Sequence, residues 1–231
     1  MRIIFRPVAM TILLAASWTA FGAGGGSVPA TGGGGSATHF EPRTPEETAR
    51  LAYNDGVHGV EKGDELIADA ARQTDAKKQQ KTADKAKNAY AGALKKFKRA
   101  AELNPAMHEA WNYIGYTNRK LGNYQEALTA YDRALNLKPG YPEAIEYRGH
   151  AYLGLNRLED AKQAYLTLFS GNRKLAAQLL TAMQAWVGDH RGNPAGVEAP
   201  ALDAFAAWVS ERSAIASQTA GLTREGASAA W

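Results

Sequence analysis

The chain has 231 residues, 45% of them hydrophobic and 22% charged, enough for one domain or one short helical array with its own core. Its formal net charge is only +4 and falls to about +2 without Arg2 and Arg6, so global charge makes no case for a nucleic-acid partner. Cysteine is absent, which excludes a disulfide framework, thiolate metal sites and a lipidated-cysteine anchor.

Arg2 and Arg6 precede the apolar run VAMTILLAASWTAF, an order that predicts a secretory signal peptide over residues 1–23. Gly22, Ala23 and Ala30 are the candidate cleavage points. An uncleaved anchor is the alternative, although the run is short against the roughly 20 residues of a membrane span. With the signal removed no membrane span is expected, and the location implied is the bacterial periplasm or the medium. Residues 24–41 are a Gly/Ser-rich linker without side chains able to build a core. Its Gly clusters lack the following GKS or GKT of a phosphate-binding loop.

The folded part is expected over residues 42–217. A first helical stretch runs from Pro42 to Lys62 with Leu51, Val57 and Val60 as its apolar stripe, ended by Gly63. Its partner is Ala86 to Asn104, which leaves about 25 residues more than a regular repeat spacing. The lysine-rich stretch of about 64–85 reads partly as an inserted helical segment and partly as an extension of the partner helix; the alternative is one long helix from Asp64 through Leu103. Lys77, Lys78, Lys81, Lys85, Lys95 and Lys96 form a basic ridge. It is either a docking surface for an acidic partner, glycan or lipid headgroup, or a solvated helix surface.

From here the chain repeats itself at an offset of 34 residues, laying Gly115 on Gly149, Leu121 on Leu155, Ala127 on Ala161 and Tyr131 on Tyr165. Within one unit Trp111, Ile114 and Gly115 share a helix face, and Gly122 suits a left-handed helix end. Asn123 and Glu126 have capping-box spacing, Ala127 and Tyr131 follow at helical intervals, and Pro139 blocks continuation. At Trp111, Ile114, Gly115, Ala127, Tyr131, Ala134 and Pro139 the sequence resembles the tetratricopeptide repeat family, with Asn118 where that family usually has Tyr.

The resemblance implies two helical hairpins, Met107 to Leu137 and Tyr141 to Phe169, stacked with first helices lining a concave face. The partner-binding candidates on that face are Glu109, Asn112, Tyr113, Tyr116, Arg119, Lys120, Glu143, Glu146 and His150, with Tyr147 beside them. The alternative is that some of these tyrosines pack against neighbouring first helices. Chaperone-type members of the family clamp a terminal carboxylate with basic residues, and Glu143 and Tyr147 stand where two of those would be expected. That activity is therefore not expected.

Beyond Phe169 an amphipathic helix carries Leu175, Leu179, Leu180, Met183, Trp186 and Val187 and ends at Gly188. After a loop from Asn193 to Pro200, Leu202, Phe205, Trp208 and Val209 mark a last helix that covers the final hairpin. Residues 218–231 are expected to be a loose tail, with Trp231 docked or exposed. The fold class is thus all-α, a short tetratricopeptide-like solenoid of helical hairpins with a C-terminal capping pair.

His39, His58, His108, His150 and His190 are scattered without metal-ligand spacing, and no serine sits in a nucleophile elbow. No metal and no cofactor is expected. The function expected is non-catalytic binding of a protein or peptide in the cell envelope. Alternatives are a glycan-processing component pairing Glu143 or Glu146 with a second acid, or a self-associating structural subunit.

Overall fold

The computed structural model describes residues 43–192 and 196–228, with side chains placed through residue 218. The signal-peptide and linker expectations, and Trp231, lie outside the described residues. The chain is helical throughout: α1 Pro45–Arg72, α2 Ala76–Leu103, α3 His108–Lys120, α4 Tyr124–Leu137, α5 Pro142–Gly154, α6 Leu158–Gly171, α7 Arg173–Gly192 and α8 Ala199–Ser228.

Local causes set several of the helix boundaries. Thr44 and Glu47 close a reciprocal capping box at the start of α1, with bonds of 2.9 and 3.2 Å, and Pro45 occupies a position whose N–H has no helical partner. Asp75 starts α2 by accepting the Lys78 N–H at 2.9 Å. Gly122 ends the first repeat helix with φ +85°, and Asn156, 34 residues later, holds the same left-handed position at φ 57°. The capping box expected at Asn123 does not form. Asn123 is the N-cap of α4, but its side chain donates to Asn118 Oδ1 at 3.4 Å instead of accepting from its own helix.

The first hairpin differs most from expectation. Gly63 does not end a helix; α1 continues to Arg72, and the chain turns at Gln73–Asp75 before α2 begins. The expected extension of the partner helix is present, since α2 begins at Ala76, but there is no separate inserted segment and no single helix from Asp64 through Leu103. The surplus lengthens both arms of a single hairpin, each of 28 residues or about 42 Å, against about 20 Å for α3 to α6. The far end projects beyond the stack and is held by small contacts: Gln73 Nε2 donates to Asp69 Oδ2 and to Thr82 Oγ1, both at 3.1 Å. Along the arms Gly56, Gly59 and Gly63 form a row against Phe97, Ala93 and Tyr90, which brings the two backbones close.

The remaining hairpins match the expected bounds closely. Successive first helices touch one another, α3 with α5 and α5 with α7, while each second helix lies mainly between the first helix before it and the one after. The first helices therefore form one face and the second helices the other. Ala127 and Tyr131, both 0% exposed, sit where α3 and α4 cross, with the Tyr131 ring over Gly115. At the C-terminal end α7 and α8 close the array: Leu179, Met183, Trp186, Phe205 and Val209 pack onto Ile145, Leu153, Tyr165 and Leu168. Trp186 Nε1 donates to the Leu153 carbonyl at 3.0 Å, fixing α7 to α5. Two expected ends move here. Gly188 lies inside α7, which runs on to Gly192, and α8 continues to Ser228, past the boundary at 217 where the loose tail is expected.

The glycine row yields opposite outcomes for one substitution. A Cβ at Gly63 would stand 2.5 Å from Tyr90 Cε1, so Gly63→Ala is expected to lower stability by about 1–3 kcal/mol despite the better helix propensity of alanine. Gly92, on the solvent side of α2, has nothing within 4 Å of such a Cβ, and Gly92→Ala is expected to gain about 0.5–1 kcal/mol. Urea midpoints of the two variants against the parent measure both signs.

Candidate binding face

The first-helix face is built in two layers, of which the lower is a buried polar network. Asp64 on α1 accepts from Tyr90 Oη on α2 at 2.6 Å and from Tyr116 Oη on α3 at 2.7 Å, and pairs with Lys120 Nζ on α3 at 2.7 Å. One carboxylate thus ties three helices together. Lys120 also lies over the Tyr90 and Tyr116 rings, at 5.3 and 5.5 Å from their centroids. Burial lowers its pKa, and Asp64 opposes that by favouring the ammonium.

A second set lies one repeat further on. The Arg119 guanidinium stands over the Tyr116 ring at 5.0 Å and the Tyr147 ring at 5.5 Å. Burial works against its charge, and Tyr131, Tyr116 and Glu146 more than offset that, so its pKa is raised. Glu146 is 0% exposed, with Oε1 at 2.7 Å from His150 Nε2. In both sets a cation lies on tyrosine rings beside a carboxylate.

The upper layer is what remains at the surface. Tyr53 of α1, Tyr113 of α3 and Tyr141, the residue preceding α5, are all half-buried. Tyr53 meets Tyr113 edge-on at 5.6 Å, Tyr113 stacks on Phe97 at 4.8 Å, and Tyr141 packs against His108 at 5.0 Å and under Lys138 Nζ at 4.6 Å. Acids surround them. Burial raises the Tyr141 hydroxyl to about 12, helped by Glu143 and Glu109, and burial raises Tyr113, helped by Glu61, Asp64 and Glu143. Glu109 is held at 3.1 Å from His108 Nδ1.

These positions correct the expected lining. Asn112, Tyr116 and Glu146, at 2%, 4% and 0% exposure, lie beneath the surface among packing and network residues. Arg119 and Lys120 are likewise consumed by the network, and His150 covers Glu146. Glu109, Tyr113 and Glu143 stay on the surface, joined by Tyr53, Tyr141 and Glu61. Two open hollows lie elsewhere, one between α7 and α8 beside Gln184, Arg191 and Ser213, the other at the start of α1 beside Arg43 and Arg50.

Glu146, 0% exposed and covered by His150, faces no open cleft. Among the described residues no group of three or more His, Cys, Asp or Glu is placed to hold a metal ion, and no helix is long and apolar enough to cross a membrane.

The basic ridge lies on the opposite face. Lys77, Lys78, Lys81, Lys85, Lys95 and Lys96 are all exposed on the solvent side of α2, opposite its buried row Ala86, Tyr90, Ala93 and Phe97. Of the six, Lys96 pairs with Asp55 at 3.0 Å across the hairpin, and the other five have no carboxylate partner among the described residues.

Two measurements test the buried network. Asp64→Ala strands two tyrosine hydroxyls and an ammonium and is expected to cost about 2–3 kcal/mol in a urea titration. In the second, burial raises the hydroxyls of Tyr53, Tyr90, Tyr113, Tyr116, Tyr131 and Tyr147 above their ordinary value near 10. The folded state keeps those protons where the unfolded chain releases them, so their contribution is complete below about pH 10 and falls as pH rises further. The lowered pKa of Lys120 has the opposite sign, one group against six. The expected outcome is a lower urea midpoint at about pH 11 than at about pH 9, with a rise in tyrosinate absorbance accompanying unfolding.

Residues 82–142 match one model of the tetratricopeptide repeat and residues 119–185 match a second. No curated protein matches the chain. The matched region runs from within α2 into α7 and coincides with the stacked hairpins described above, so the likeness to the tetratricopeptide repeat covers residues 82–185.

Proposed function

We propose that this protein is a non-catalytic binding module of the cell envelope that holds a protein or peptide partner on its first-helix face. The observation that carries this reading is the half-buried tyrosine surface of Tyr53, Tyr113 and Tyr141. Tyrosine offers large contact area at low entropic cost, and here the rings are fixed by stacking before any partner arrives. Repeat folds present a surface and leave the chemistry to it. Export to a bacterial periplasm is part of the proposal and rests on the order of Arg2, Arg6 and the apolar run after them, together with the absence of cysteine.

The exposed ridge of Lys77, Lys78, Lys81, Lys85 and Lys95 supports a second contact on the opposite face, open to an acidic partner or to another copy of the chain. The two faces do not compete for space.

A capture experiment from an envelope extract distinguishes the faces. The parent protein is expected to retain a partner that a Tyr113→Ala, Glu143→Ala variant of confirmed helicity loses, while Lys81→Gln, Lys85→Gln, Lys95→Gln retains it. Equal capture by the first variant, with loss by the second, moves the function to the ridge. Recovery of the protein only from the cytoplasmic fraction would overturn the envelope assignment.

A further inference from the structure

The buried network solves one chemical problem twice, placing a cation on tyrosine rings next to a carboxylate. Lys120 lies on Tyr90 and Tyr116 beside Asp64, and Arg119 lies on Tyr116 and Tyr147 beside Glu146. The surface above contains the same parts without the cation. Neither Tyr53 nor Tyr113 has a cation over its ring among the described residues, whereas Tyr141 carries Lys138. Glu61 and Glu143 have no ion-pair partner among the described residues, whereas Glu109 has His108.

A second observation points the same way. Asn112, one residue before Tyr113 and 2% exposed, lies beside Tyr141 at the floor of this surface, and its Oδ1 accepts no hydrogen bond. The unfilled groups in this set are thus one acceptor, two carboxylates and two π faces. Such a surface selects a ligand rich in N–H donors and positive charge.

We infer that the first-helix face takes a cationic peptide segment, one arginine or lysine of which occupies the site between Glu61 and Glu143 over Tyr113 and Tyr53. This rests on the proposed peptide-binding role of the face and names the ligand class. It also inverts the charge of the carboxylate-clamping repeats, since Glu143 stands where a basic clamp residue would be expected.

The test is fluorescence anisotropy with the full chain and three labelled octapeptides in which glycine alternates with arginine, glutamine or glutamate. The arginine peptide is expected to bind at least about tenfold more tightly than the glutamine peptide and to weaken several-fold as salt rises from about 50 to 500 mM. Glu61→Gln with Glu143→Gln is expected to remove about tenfold of that affinity. Glu65→Gln with Asp69→Gln, which lowers the charge of the same helix away from the tyrosines, is expected to leave it unchanged. Equal loss in both variants means diffuse attraction and overturns the site.

Equal binding of the arginine and glutamine peptides, abolished by Tyr113→Ala, overturns the cation preference while sustaining the peptide-binding face. Preference for the glutamate peptide overturns the inference outright. Absence of arginine-peptide binding does so too, and the capture experiment then decides the face independently.

Discussion

The arrangement of the first-helix face depends on a single carboxylate. Asp64 of α1 accepts two tyrosine hydroxyls and pairs with an ammonium from the next two helices, α2 and α3, and so couples the long hairpin to the repeats that follow it. Two of these partners reach it from α3, which fixes that helix at Tyr116 and Lys120, one turn apart. Polar groups at this depth are costly unless satisfied, and their geometry is directional in a way that apolar packing is not. The network therefore contributes register. It specifies how far α1 slides along α3, and with that where Tyr53 meets Tyr113.

Much of the fold was legible because the repeat carries its signal in small residues and period. Gly115 under Tyr131, Ala127 at the crossing and Gly122 in the left-handed region all follow from spacing alone. The first hairpin was less legible. Gly63 reads as a stop when only local propensity is considered, yet it lies in a row with Gly56 and Gly59 whose purpose appears only when α2 is placed beside it. Tertiary packing overrode a residue that is unfavourable in a helix interior. The candidate face failed in a different way. Tyr116, Arg119 and Glu146 look like lining because they are polar and fall on the correct side of their helices, but period cannot say whether a polar residue meets solvent or a partner one repeat away. Asp64 gave no signal of its own: the residues that satisfy it lie 26 and 52 positions further along the chain.

The layering explains why the protein differs from repeats that grip carboxylates. The basic residues of the first helices, Arg119 and Lys120, are present but spent beneath the surface, balanced by Asp64 and Glu146. What is left facing outward is tyrosine and glutamate. Positive charge is instead displaced to α2, on the other side of the hairpin. A chain of net charge +4 thereby presents two surfaces of opposite sign.

The projecting end of the first hairpin has a thermodynamic consequence. Its arms are joined there by Ala70, Ala86 and Thr82 and by the side chain of Gln73, so little apolar area resists local opening. The same segment carries Lys77, Lys81 and Lys85 at four-residue intervals, a spacing at which like charges repel along a helix. Fraying is thus linked to counter-ion occupancy. Any anion that associates with the closed hairpin more strongly than with the frayed one draws the equilibrium toward closure in proportion to that difference, and ordering at the tip becomes a readout of what the lysines have met.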